Sequence, residues 1–374
     1  MNKEHFLALS ALVGTILGAG IFGIPQAIII SGAKPAIFYF VILGIAVTCL
    51  HLMFGEIILR NKDNHRFIYY AEKYLGKFGK YAILFSTIIG LSGALLCFII
   101  LGGDFLFLVL GQKVNLVFLT VLFWLLLSII ALRDFHFVVR FEAILDVIYF
   151  FLIAYIFASI LPRANFNLIP ISTNNSSGLI YGIILFSLIG WMSIPTAKQI
   201  LGSSENLKSF KKIIIVAGII TTIFTACFGF VFAAVVGPSA VLNILQGLSA
   251  IVDSKIIVLT SLFGALLVST SFLIISLYFI DSLSLDLKLD RKISKYFVLL
   301  IPLILFLLGL RDFIPLISNL GVILGTVDGI IIMLCYKKAK VIYEREPEYS
   351  LKIPNILLNG LILLFIIGAV CFFL

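Results

Sequence analysis

Two glycine- and proline-rich stretches hold most of the chemistry this sequence offers. One reads Gly14-Thr15-Ile16-Leu17-Gly18-Ala19-Gly20-Ile21-Phe22-Gly23-Ile24-Pro25; the other reads Phe186-Ser187-Leu188-Ile189-Gly190-Trp191-Met192-Ser193-Ile194-Pro195-Thr196-Ala197. At an offset of 170, Gly20, Ile24, Pro25 and Ala27 coincide with Gly190, Ile194, Pro195 and Ala197, a shared G-x-x-[GS]-I-P-x-A. Both stretches are embedded in apolar sequence. There Gly and Pro weaken a helical ladder, and the freed N–H and C=O groups must find partners. Such backbone is tolerated where it lines a cavity. Half-helix N-termini then offer N–H groups to a carboxylate, and C-terminal ends offer carbonyls to a cation. Two simpler readings compete. Gly18-x-Gly20-x-x-Gly23 spells a dinucleotide fingerprint but lacks flanking strands, and Gly14-x-x-x-Gly18 is also a helix-packing spacing.

Ionisable side chains within apolar runs are costly and default to functional hypotheses. Glu56, Asp146 and Asp281 lie within about two turns of span ends assigned below to the cytoplasm, where gate salt bridges or snorkelling compete with a transport role. Asp104 follows Gly102-Gly103, and Asp328 lies in the inner half of its span. His51 sits about a turn and a half from Glu56, which makes these two the proton-coupling candidates; a hydrogen-bonded packing histidine is the simpler alternative. The five cysteines, Cys49, Cys97, Cys227, Cys335 and Cys371, lack C-x-x-C spacing and read as small buried hydrophobes. His5, His51, His65 and His136 are scattered, so no His-rich metal site is expected.

The elements that position these residues follow from composition. Of 374 residues, 62% are hydrophobic and 12% charged, against about 25% charged in a soluble domain. That charge cannot coat a water-facing surface of this size, so the chain is read as an all-α integral membrane protein. The N-terminal apolar run exceeds a signal-peptide core and is kept as a span. A window of about 20 apolar residues gives eleven spans: Phe6–Ser31, Ala36–Leu59, Tyr81–Leu110, Val114–Leu132, Phe141–Leu161, Gly178–Leu201, Ile213–Val236, Ile256–Leu285, Phe297–Leu310, Phe313–Tyr336 and Ile353–Leu374. With the N-terminus cytoplasmic, 22 of the 27 Lys and Arg fall on the cytoplasmic side, leaving Lys34, Lys113, Arg163, Lys255 and Arg311 outside. The net charge of +9 is thus an orientation signal and not one for nucleic acid. Arg66–Lys80 reads as an amphipathic interfacial helix, and Gly237–Asp253 as a short external surface helix. The two broken spans, first and sixth, run in opposite directions. The chain therefore reads as one membrane domain over 1–374, with an inverted-topology 5+5 repeat (about 6–161 and about 178–336) and a terminal helix at about 353–374.

At these residues the sequence resembles the amino acid/polyamine/organocation superfamily with the leucine-transporter-type fold. GTILGAGIFGIPQA is similar to the first-helix signature of its amino acid permeases. Leu267-Val268-Ser269-Thr270-Ser271-Phe272-Leu273 followed by Asp281-Ser282-Leu283 resembles the eighth helix of bacterial aromatic amino acid permeases. The resemblance implies a substrate cradle. The backbone of Gly18, Ala19, Gly20 and Ile21 would hold an α-carboxylate. Carbonyls around Phe186, Ser187 and Ile189 would take the α-ammonium, with Gly190 at the break and Phe186 and Trp191 as gate or pocket walls. It also implies a cation site formed by carbonyls of Gly14 and Leu17 with hydroxyls of Thr270 and Ser271. Glu56 in Gly-Glu-Ile resembles a structural position of the second helix.

The function expected is secondary active import of an amino acid across the plasma (inner) membrane. The coupling is to Na+ or H+ by alternating access, with no organic cofactor and the bilayer as surroundings. Protein partners are left open, and the C-terminus is expected outside. A non-transporting sensor of the same fold and an intramembrane enzyme are the alternatives. For the enzyme, Arg133-Asp134-Phe135-His136 is the one candidate constellation, and no GxxxxGK[ST] phosphate loop is present.

Overall fold

An apolar run of about 20 residues satisfies its backbone in hydrocarbon only as a helix. The computed structural model, which describes residues 3–133, 135–173, 177–238, 248 and 251–373, is helical without strands among those residues. The order is α1 (Lys3–Ile16), α2 (Ile24–Ser31), α3 (Ala33–Leu59), α4 (Phe67–Ser86), α5 (Ser92–Val109), α6 (Leu116–Ala131), α7 (Phe135–Ile160), α8 (Ser177–Leu188), α9 (Ser193–Leu201), the single-turn α10 (Ser204–Leu207), α11 (Phe210–Val236), α12 (Ser254–Asp281), α13 (Arg291–Leu307), α14 (Phe313–Ala339) and α15 (Asn355–Phe373). Among the described residues, nine helical segments are long and apolar enough to cross a membrane. Two of the expected spans are helical but short: α6 has 16 residues and α13 has 17.

Burial sorts these segments by role. In the most apolar stretch of Gly178–Leu201, 94% of residues are buried, and 83% in that of Lys3–Ser31; the figures are 28% for Phe135–Arg163 and 11% for Asn355–Phe373. The two interrupted helices are thus the most buried, while Phe135–Arg163 and Asn355–Phe373 lie on the outside of the bundle. That is the arrangement required where backbone is not fully paired within its own helix. Large apolar side chains such as Phe78, Phe85, Phe118 and Phe151 face outward, as a lipid-contacting surface does.

Several expectations change. The Arg66–Lys80 helix is not a separate element lying on the membrane. It begins α4, bends at Gly76 (φ 68°) and continues toward the third span. Its apolar stripe, Phe67, Ile68, Tyr70, Ala71 and Tyr74, is buried within the bundle. An amphipathic pattern cannot distinguish a protein partner from a lipid one. The third span is also broken locally by a π turn at Thr87–Leu91. Of the cysteines, Cys97 and Cys335 are buried, whereas Cys227 and Cys371 lie on the outer surface of the bundle. The expected surface helix in Gly237–Asp253 lies mostly outside the described residues, as does Asp134.

One end of the bundle is knit by charge. Asp286 accepts the Arg66 and Tyr69 amides at 3.0 Å each, capping the first turn of α4. Arg66 Nη2 donates to Asp281 at 2.6 Å, and Arg291 approaches the same carboxylate at 3.3 Å. Lys198 Nζ donates to the carbonyl of Ile58 at 3.1 Å, and Lys73 pairs with Glu344. This is called the basic end below.

Candidate substrate and cation site

In the first break, Leu17 N still donates to Val13 O at 2.8 Å, then Gly18 N turns back to Ile16 O at 2.9 Å. Gly18 is extended (φ −101°, ψ −158°), a tight turn covers Ala19–Gly23, and α2 resumes at Ile24. Pro25 stands in that first turn, where no amide donor is needed. The second break follows the same logic. Ile189 N donates to Leu185 O at 3.2 Å, the last bond of α8, and α9 starts at Ser193, placing Ile194-Pro195 in its first turn.

The freed groups at Gly190 are paired by side chains. Gly190 N–H donates to His51 Nε2 at 3.1 Å, and its carbonyl accepts from Ser193 Oγ at 2.7 Å and Ser193 N at 3.0 Å. Trp191 Nε1 donates to Asp328 Oδ2 at 3.0 Å, so α3 and α14 brace the break from two sides. His51 and Trp191 rings lie 6.2 Å apart. His51 is therefore an acceptor to backbone in this structure, and its Nε2 carries no proton.

Each break touches the helix end that leads into the other. A side-chain carbon on Gly20 would lie 2.9 Å from Ser187 Cα and 3.0 Å from Phe186 Cδ1, and one on Gly190 would fall against the Ile16 side chain. Glycine at these two points is what lets the backbones meet. Ala19, Ile21, Ser187, Ile189 and Trp191 are all buried, and Phe186 is partly so. Ser187 Oγ is engaged with Ile183 O of its own helix at 2.7 Å. Toward the end opposite the basic one, Phe22 packs its ring against Phe105, Phe228 and Phe263, with centroids 4.8, 5.6 and 6.1 Å away. The cradle region thus has an aromatic layer on one side and the Arg66–Asp281–Arg291 cluster on the other.

Of the four cation candidates, the structure joins Gly14 and Ser271: Ser271 Oγ donates to Gly14 O at 3.0 Å and to Leu267 O at 3.3 Å. Leu17 is buried one turn further along α1. Thr270 Oγ1 instead donates to Leu267 O on its own helix at 2.9 Å, the usual habit of a hydroxyl in a membrane helix. Glu56 lies elsewhere, in the basic end. It binds Arg60 at 2.8 Å and Lys340 at 3.1 Å, and accepts the Leu351 amide at 2.7 Å, tying the connection between α14 and α15 to α3.

Sequence reasoning missed several groups. Asp328 was read by depth alone, yet it holds the Trp191 indole. Glu142 was not singled out and Asp146 was read as a gate or snorkelling acid, but both are buried and face α1. The signal available was spacing: Glu142, Asp146 and Tyr149 stand at i, i+4 and i+7, one face of a helix. The Phe22 layer had no local signal, since its four rings come from four separate segments.

A model of the tryptophan/tyrosine permease family matches residues 1–372. No curated protein matches the chain in sequence. Among solved structures, Mhp1, a nucleobase-cation-symport-1 family transporter in a closed conformation with bromovinylhydantoin bound, superposes with a TM-score of 0.62 at 12% identity, covering 88% of this chain and 77% of that one. At that identity the likeness is one of fold.

Proposed function

The chain belongs to the tryptophan/tyrosine permease family, and from that premise we propose that it imports an amino acid across the plasma membrane together with Na+ or H+. Family and fold make it a multi-pass membrane transporter of the secondary type. The finer reading rests on one observation: each break packs against the helix end that leads into the other, Gly20 against Ser187 of α8 and Gly190 against Ile16 of α1. Backbone N–H groups at the start of the second half of the first span, ahead of α2, suit a carboxylate, and carbonyls at the end of α8 suit an ammonium. Gly18, Ala19, Gly20 and Ile21 are accordingly assigned to the α-carboxylate, and Phe186, Ser187, Ile189 and Gly190 to the α-ammonium, with Phe186 and Trp191 against the side chain. Gly14, Leu17, Thr270 and Ser271 are assigned to a cation, a role the 3.0 Å Ser271–Gly14 contact supports.

Alternating access would move α1, α2, α8 and α9 between the Phe22 layer and the Arg66–Asp281 cluster. The distribution of Lys and Arg supports eleven crossings, a cytoplasmic N-terminus and an external C-terminus. The matching breaks support the 5+5 inverted repeat. The test is uptake by full-length protein in liposomes, offering labelled tryptophan and tyrosine first and other neutral amino acids next. Saturable uptake that collapses when the Na+ or proton gradient is dissipated is expected. Gly20→Ala, whose methyl meets Ser187 backbone at 2.9 Å, should lower it at least tenfold. Failure of every amino acid to move under either gradient would overturn the proposal.

A further inference from the structure

The wall helix α7 carries two acids on its inner face, Glu142 (0% exposed) and Asp146 (2% exposed). Glu142 Oε1 and both Asp146 carboxyl oxygens each lie 2.9 Å from the point where a side-chain carbon on Gly14 would stand. The two carboxyls therefore converge over bare backbone of α1, at the residue whose carbonyl receives Ser271. Ser10 Oγ donates to Asp146 Oδ2 at 2.5 Å. Both Glu142 oxygens have no hydrogen-bond partner, and the fully buried Tyr149 hydroxyl faces the Asp146 carboxyl. Among the described residues, no Lys, Arg or His lies within ion-pair distance of either acid, whereas Glu56 and Asp281 each have two cations.

The titratable neighbours do not supply the missing charge. On α1, His5 lies about a turn and a half from Ser10 and bonds Ser209 at 2.9 Å. On α7 itself, His136 and Arg140 precede the pair and Tyr149 follows it. On α12, which packs along α7, Tyr278 accepts the Phe67 amide and Asp281 is held by Arg66 and Arg291. On α11, Lys211 and Lys212 stand near its start. Two buried carboxyls without a basic partner call for a compensating positive charge, and their free oxygens are the hard ligands a small cation takes. A crevice of about 370 Å³ along the α1–α7 seam, lined by Leu9, Ser10, Val13, Asp146 and Phe150, leaves that seam incompletely packed.

We propose that Glu142 and Asp146, completed by Ser10, Tyr149 and the Gly14 backbone, help to hold the coupling cation, one Na+ bound between α1 and α7. Resting on the transport reading above, this extends the cation site proposed at Gly14 and Ser271 to the pair of acids that faces Gly14. Because α1 belongs to the interrupted first span, its displacement from α7 separates the carboxyls from Gly14 and weakens the hold on the charge. That difference in affinity between two arrangements is what coupling requires.

The test reads the charge without substrate. The melting temperature (Tm) of purified full-length protein is followed against NaCl at constant ionic strength and pH, with choline as replacement. The wild type should gain stability as Na+ replaces choline. Glu142→Gln and Asp146→Asn, which keep shape and remove the charge, should flatten that response. A wild type that does not respond to Na+, or amide variants that respond as the wild type does, would overturn the proposal. Should the amide variants fail to fold, Ser10→Ala, which leaves both carboxyls in place, should shift the same midpoint several-fold; an unmoved midpoint would also count against the site. In liposomes the amide variants should lose gradient-driven accumulation at least tenfold while retaining counterflow exchange. If no amino acid is transported at all but the Tm response still vanishes in the variants, the transport reading fails and the cation site stands.

Discussion

His51→Leu separates a brace of the second break from a passive core residue. In the structure His51 Nε2 accepts the Gly190 amide at 3.1 Å, and both residues are buried, so water cannot take over the lost bond. Leucine is similar in bulk and leaves the Gly190 N–H without a partner. A buried, orphaned donor costs about 1–3 kcal/mol. Since this amide belongs to the break, the cost falls on the arrangement in which α8 and α9 meet the first break. An equilibrium between that arrangement and one exposing the break to water should shift by about 5- to 150-fold. Substrate that binds the closed arrangement should weaken by the same factor. The assay is counterflow exchange and substrate-induced thermal stabilisation of the reconstituted protein, comparing His51→Leu with His51→Gln. Glutamine keeps an acceptor oxygen and should recover most of the loss. Unchanged affinity in His51→Leu, or equal loss in both variants, would refute the assignment of His51 to Gly190.

Two further outcomes concern the basic end. Asp286→Ala removes the acceptor of the Arg66 and Tyr69 amides, a cap worth about 0.5–2 kcal/mol, so hydrogen exchange in the first turn of α4 should accelerate about 2- to 30-fold while α12 is unaffected. The Lys62 amide and Lys73 ammonium hold the Glu344 carboxyl below its ordinary value of 4.5. The ordinary value is then the upper limit of the window: this contact contributes stability in neutral solution and loses it as pH falls through the depressed folded value, below 4.5. Glu344→Gln should abolish that acid-side loss in a Tm-against-pH series and leave stability near pH 7 slightly reduced.

Much of the architecture is legible without coordinates because hydrocarbon permits few backbone solutions. Runs of apolar residues must be helices, so the boundaries of α3, α11 and α14 fall close to the windows read from hydropathy. Gly and Pro clusters within such runs must be breaks, and Ile24-Pro25 and Ile194-Pro195 do open the second half of each broken helix. The shared G-x-x-[GS]-I-P-x-A marks both breaks in the sequence.

What tertiary structure alone decided is which polar groups share a site, because that depends on the rotation of each helix about its axis. Hydropathy along a nearly uniform apolar helix hardly records that rotation. Glu56 and His51 stand on one helix, about 7.5 Å apart along its axis, yet one joins Arg60 and Lys340 and the other joins Gly190. Asp146 and Asp281 look alike as acids near a cytoplasmic end, but only Asp281 meets arginines, while Asp146 turns to Ser10 and the bare backbone of Gly14. The sequence determined that charge inside the bilayer must be compensated; the packing of α1 against α7 and of α4 against α12 determined by what.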